Sequence, residues 1–266
     1  MELNLSLGDA IRSFEILLGW SLVLQTLEYL RIARLDRIGD WSLQRQEVPL
    51  RPAAVRTLLD LLLRSRWYRM MLLARLGLSL WLISGGLGLG GALMLFGIAL
   101  VLLMRWRGAF NGGSDFMTLV GLSGLLIAHG VGAYTDPVLG WRAAFWYVTL
   151  QSVTSYFVSG WVKLLRPEWR SGQALAIFLD TGVYGPLPAS SLFRQPLLAR
   201  TCSWAFTIWE GCFPLALLDL RLALGFCAVA AMFHFLVFWF FGLNRFFWAW
   251  LSTYPAILYC STQIVS

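Results

Sequence analysis

Charge is what this sequence has least of. Asp, Glu, Lys and Arg make up 13% of its 266 residues, against about 25% in soluble domains. Lysine is nearly absent. Lys163 stands alone among twenty-one basic residues, and all the others are arginines. There are two histidines, His129 and His234, about a hundred residues apart, and they make no metal-ligand set. HExxH, GxSxG and P-loop patterns do not occur, so nothing in the chain points to a zincin, a serine hydrolase or a P-loop nucleotide hydrolase. A bis-histidine haem stays open, since His129 and His234 would serve as axial ligands if they met on facing helices. Cys202, Cys212, Cys227 and Cys260 lie in or beside apolar runs and form no CxxC pair. They read as small buried hydrophobes. No cleavable signal peptide is read, because the first thirteen residues hold Glu2, Asp9 and one base, Arg12, and no small-residue pattern closes the first apolar run.

Apolar residues are what the chain has in abundance. Hydrophobic side chains make up 58% of it, and its mean hydropathy is +0.68. A spanning helix needs about 20 predominantly apolar residues, and runs near that length recur from end to end. The pattern predicts an all-α polytopic membrane bundle in one domain, residues 1–266, with roughly eight spans. They are expected at about Phe14–Tyr29, Met70–Ile83, a third ending near Met104, Phe116–Val131, Arg142–Val162, Ala199–Leu218, Leu222–Leu243 and Phe246–Leu258. After the first span comes a polar stretch broken by Pro49 and Pro52. "TLLDLLLRSRWYR" is apolar on one side and basic on the other, and predicts a helix lying in the membrane interface. The polar segment after the fifth span, from Arg166 to Pro196, is not expected to cross.

The net charge of +7 is concentrated in loops beside spans. It predicts contact with anionic membrane lipids and not with nucleic acid. If the spans alternate, seventeen of the twenty-one basic residues fall on the Lys163 side, which places that side in the cytoplasm.

Polar residues at membrane depth are costly and mark candidate sites. Lys163 ends the fifth span. A snorkelling lysine is the plain explanation, but arginine would serve as well. Lysine differs in being able to lose its proton when desolvated, which suits a general base. Glu210 sits mid-span in the sixth and needs a partner or a proton; the plain alternative is a structural ion pair with an arginine. Pro214, four residues on, is expected to bend that helix. His234 lies mid-span among aromatics, either as a satisfied core group or as a contact to the oxygen of a bound ring. His129 reads as structural. Glu15 and Glu28 lie near the ends of the first span, within reach of an interface.

"YFVSGWVKLLRPEWRSG" resembles the membrane motif of the vitamin K-dependent gamma-glutamyl carboxylases and their bacterial relatives that carry the horizontally transferred transmembrane domain. The matching positions are Tyr156, Phe157, Ser159, Gly160, Lys163, Trp169 and Gly172. "FNGGSDFMTL", before it, resembles the family's Gly-Gly-Asp entry to a span, and "WEGCFPLALL" and "MFHFLVFWFFGLNRFFWAWL", after it, resemble the later Glu-Pro helix and His helix; the set runs in family order across roughly residues 105–250. The resemblance implies a quinol- or lipid-dependent enzyme of the bacterial inner membrane. Reduced vitamin K or a related quinol would be its cofactor, and no metal would be needed. In that family a neutral lysine deprotonates the hydroquinone. After oxygen adds, a strong base forms on the cofactor and abstracts the gamma proton of a glutamate. The carbanion then captures carbon dioxide. Carried over, the lysine role falls on Lys163, contact with a quinone oxygen on His234, and tuning of the charged side of the pocket on Glu210. Tyr156, Trp161, Trp169 and His234 are the expected cofactor-binding residues. A peptide substrate with a partner protein is implied as well. The alternative is a non-enzymatic membrane partner or lipid-binding subunit in a peptide-maturation system, and a transporter comes third. Three departures stand beside the resemblance. The spacing from Lys163 to Trp169 is one residue longer than in the carboxylases. The carboxylases carry a further large domain for their protein substrate, whereas only a few polar residues follow Cys260 here. Their active site also faces the lumen, against the arginine asymmetry.

Overall fold

A computed structural model describes residues 5–34, 41, 45, 52–106 and 112–264. The polar stretch around Pro49 and the loop at Arg107 lie outside the described residues. Among those described there are helices and no strands. The elements are α1 Leu7–Arg34, α2 Ala53–Leu62, α3 Ser65–Ser84, α4 Leu89–Trp106, α5 Gly112–Tyr134, α6 Pro137–Leu165, α7 Pro167–Arg170, α8 Gln173–Asp180, α9 Pro196–Gly211, α10 Leu220–Phe241, α11 Asn244–Leu251 and α12 Tyr254–Ile264. Short 3₁₀ turns at Leu192–Arg194 and Phe213–Leu217 flank α9.

Local chemistry sets several of the boundaries. Pro167 and Pro196 open α7 and α9 at a helix start, where the missing N–H costs nothing. Asp219 caps α10 by accepting the Arg221 backbone N–H at 2.7 Å. Gly242, at φ 67°, closes the same helix in the left-handed conformation that favours glycine.

Among the described residues, four helices are long and apolar enough to cross a membrane: Leu7–Arg34, Leu89–Trp106, Gly113–Tyr134 and Leu220–Phe241. This is fewer than the eight spans expected from the sequence, and each difference has a local cause. The second expected span lies in α3, whose hydropathy is lowered by Arg66, Arg69 and Arg75. The fifth lies in α6, which at 29 residues is roughly 43 Å long. Its polar residues dilute the apolar run, and two of them, Thr149 and Ser152, are fully buried. The sixth stops at Gly211, and Pro214 sits in a 3₁₀ turn. The eighth breaks at Ser252 and Thr253, between α11 and α12.

The chain packs as two compact units, one of residues 12–144 and one of residues 1–11 with 145–266. In the first, Tyr29, Trp41, Leu59, Leu63, Tyr68, Leu72 and Leu102 form a buried cluster. The amphipathic "TLLDLLLRSRWYR" spans α2 and the start of α3. Leu59 packs into this cluster, while Leu58 and Leu61 are exposed. Helices α1 and α3 cross closely at Gly19, where an added Cβ would meet Ile83 and the Ser79 carbonyl. Beside that crossing lies Arg75, buried to 1% exposure. It donates to Thr26 Oγ1 and Gln25 Oε1, both at 2.9 Å, and Gln25 donates in turn to Thr118 Oγ1 at 2.7 Å. A small cavity adjoins this network, with Asp115 in its lining. Glu15, expected near an interface, is instead buried and paired with Arg12 at 2.6 Å. Burial of a carboxylate demands such a partner.

In the second unit, α6 and α9 meet at glycines. A Cβ on Gly160 would collide with the Gly211 backbone nitrogen and the Glu210 carbonyl carbon. α10 packs against the Phe213–Leu217 turn, α11 and α12. This unit holds every residue of the candidate site.

Candidate functional site

The site begins with a stripe on α6. Tyr156, Ser159, Gly160 and Lys163 recur at intervals of three and four, so they share one helix face. The glycine pair lets the backbones of α6 and α9 approach, and this brings Glu210 beside that face. Lys163 Nζ donates to Ser159 Oγ at 2.7 Å and to Glu210 Oε2. The Lys163 side chain is 15% exposed and that of Glu210 4%. The amine therefore turns inward to an acceptor pair instead of out toward headgroups.

A third wall comes from Trp169, whose ring centroid lies 5.2 Å from Nζ, within cation–π range. Trp169 belongs to the one-turn helix α7, which is tied to α9. Ser203 donates its hydroxyl to the Trp169 carbonyl, and Trp204 Nε1 donates to the Arg170 carbonyl at 3.1 Å. Gly172 makes this fit possible. Its φ is +83°, and a Cβ there would strike the backbone of Ala199 and Arg200. The glycine of the sequence motif thus serves to lay α7 flat on α9.

About two helical turns back along the stripe from Lys163 lies a second cluster. Tyr156 OH is 2.6 Å from His234 Nε2 and 3.2 Å from Tyr254 OH. Aromatic rings enclose it. Tyr156 stacks on Phe213 with centroids 4.0 Å apart, and His234 stacks on Trp250 at 4.9 Å. Phe246 and Phe233 each approach the His234 ring at 5.0 Å. Tyr156 and His234 are buried, at 3% and 2% exposure. His234 Nδ1 is buried and has no hydrogen-bond partner among the described residues.

The sequence-derived candidates are therefore placed in two groups. Lys163 and Glu210 join directly, with Trp169 and Ser159. His234 joins Tyr156, and among the described residues no hydrogen bond or ring contact links it to Lys163 or Glu210. Trp161 enters neither group: it is 53% exposed and stacks on Phe157. His129 packs edge-on against Trp141 at 5.8 Å, in the other unit. The four cysteines are free; Cys227 and Cys260 are buried, and Cys202 and Cys212 are partly so. Among the described residues no group of three or more His, Cys, Asp or Glu side chains is placed to hold a metal ion.

Three residues of this constellation escaped the sequence reading: Tyr254, Trp250 and Gly211. Tyr254 and Trp250 flank the break between α11 and α12, which the apolar pattern runs together as a single span. The signal was there in "LSTYP", where Ser252, Thr253 and Pro255 interrupt the run.

No protein-family model, curated protein or solved structure matches this chain.

Proposed function

We propose that this protein is a quinol-dependent membrane enzyme of the carboxylase type, with Lys163 as its proton-accepting base. The observation that carries the reading is that the chain's sole lysine is held inward by Glu210, Ser159 and an indole face. An ammonium beside a carboxylate and an amine beside a carboxylic acid differ by one proton moved along their shared bond. Transfer from Nζ to Oε2 leaves Nζ with a lone pair, able to take up a proton, and arginine has no equivalent state. Ser159 fixes the direction of the amine, and the Trp169 face excludes water from one side.

The residues present fit a planar, oxygen-bearing ring. An orphaned ring nitrogen on His234 lies inside an aromatic enclosure built by Trp250, Phe246, Phe233 and Tyr156. Flat apolar walls with one or two polar groups are the usual form of such a site. When bound, a reduced vitamin K-like quinone would supply an oxidisable ring whose reaction with oxygen generates a strong base. His234, Tyr156 and Trp169 would hold and orient it, and Lys163 and Glu210 would handle the proton at Nζ. The substrate is a peptide, delivered with a partner protein, or another small molecule.

The proposal places the chain in a bacterial inner membrane. Besides the four apolar helices, α3 and α6 also cross, and α9 with its 3₁₀ turn and α11 with α12 enter as broken helices. Broken backbone is tolerated at membrane depth where protein surrounds it.

A second reading has its own support. Lys163 and Glu210 satisfy each other, as a structural pin between α6 and α9 would, and this favours a non-enzymatic membrane partner. Native mass spectrometry of protein gently extracted from bacterial membranes tests the choice. The enzyme reading expects a co-purifying quinone, and quenching of tryptophan fluorescence by reduced menadione. A protein that carries phospholipid alone and is not quenched refutes it.

A further inference from the structure

We infer that Tyr156 fixes the tautomer of His234, so that the buried ring presents its Nδ1–H as a hydrogen-bond donor to an acceptor oxygen. The proton count decides the direction. Tyr156 OH touches two groups, His234 Nε2 and Tyr254 OH, and has one proton to give. In one arrangement Tyr254 donates to Tyr156 and Tyr156 donates to Nε2. Each hydroxyl proton then has an acceptor, and the neutral imidazole carries its own proton on Nδ1. In the other, Nε2–H donates to Tyr156 and Tyr156 donates to Tyr254. That leaves the Tyr254 hydroxyl proton without an acceptor in this chain of bonds and also leaves Nδ1 bare.

Each arrangement leaves one donor unmet, Nδ1–H in the first and the Tyr254 hydroxyl in the second, and the second strands Nδ1 as an unmet acceptor besides. An unmet buried polar group costs about 1–3 kcal/mol, so the first arrangement is favoured.

The consequence lies on the far side of the ring. Nδ1 is buried and meets no acceptor among the described residues, while Trp250 and Phe246 close over the imidazole. A donor-only group in an apolar enclosure selects a carbonyl or an oxyanion over a hydroxyl that must itself donate. For the identity of the ligand this inference rests on the proposed function: a quinone carbonyl, or the deprotonated oxygen of its reduced form, has the required chemistry. Tyr156 is then a positioning residue that acts through His234, and Tyr254 orients Tyr156.

The chain has only two histidines, which makes the question accessible to nitrogen NMR. Protein carrying ¹⁵N-histidine in nanodiscs gives two imidazole spin systems, and His129→Asn leaves one; if that variant misfolds, His234→Asn assigns the wild-type signals by loss. The expected wild-type pattern for His234 is a pyrrole-type Nδ1 and a pyridine-type Nε2. Tyr156→Phe should remove the bias and move proton occupancy onto Nε2, while Tyr254→Phe should leave Nδ1–H in place. A wild-type ring protonated on Nε2, or on both nitrogens, overturns the inference. So does a Tyr156→Phe spectrum identical to wild type. Added menadione should shift Nδ1. If the tautomer is as expected and menadione leaves Nδ1 unmoved, the tautomer assignment stands and the quinone reading falls.

Discussion

Removal of Glu210 alone should be far more damaging than removal of Glu210 and Lys163 together. Glu210 is 4% exposed at its side chain and Lys163 15%, so their charges are largely withdrawn from water. Losing one partner of such a pair typically costs about 3–5 kcal/mol, because the other is left buried and uncompensated. Glu210→Leu leaves the Lys163 ammonium with Ser159 Oγ and the Trp169 face only. Lys163→Met leaves Glu210 without its cation. The double variant replaces both with apolar groups of similar volume, which is often neutral. With single losses of about 3–5 kcal/mol each and a near-neutral double variant, the coupling energy is expected to be about 6 kcal/mol or more. Equilibrium unfolding of the four proteins in mixed micelles, by titration with dodecyl sulfate, measures the cycle. If the double variant loses the sum of the two single losses, the pair is not coupled in the folded state and the site described above is wrong.

Gly160→Ala should destabilise by about 1–3 kcal/mol and lengthen the contact between Lys163 and Glu210, since its Cβ falls on the α9 backbone; the same unfolding titration and a structure of the variant check this. Lys163→Arg should keep stability near wild type yet abolish any quinone-dependent turnover, because guanidinium cannot become a neutral base; a fully active arginine variant refutes the base role. Chelators should leave that turnover unchanged, and loss restored by one added metal would point to a metalloenzyme instead. Arg75→Met should cost about 3 kcal/mol or more by stranding the buried Gln25 and Thr26, and a thermal-stability scan showing no loss would refute that network.

The sequence by itself determined the class of this protein. Low charge and long apolar runs leave a chain no economical fold but packed helices, because backbone groups in an apolar setting must bond within their own segment. It also singled out Lys163, Glu210 and His234, since an ionisable side chain in an apolar run is rare enough to stand out unaided.

Only the tertiary structure decided which of these groups meet. That Glu210 answers Lys163 depends on Gly160 opposing Gly211, a contact between residues fifty-one apart, and no periodicity records it. That His234 answers Tyr156 and Tyr254 depends on the break after Leu251, which turns a tyrosine inward in a stretch that the sequence alone reads as one span. The same limit explains the span count. Hydropathy sums a segment's polarity without regard to direction, so it cannot tell Thr149, Ser152 and Arg75, which are polar and turned into the fold, from polar residues facing water. Direction is a property of packing, and packing is settled by the whole chain at once.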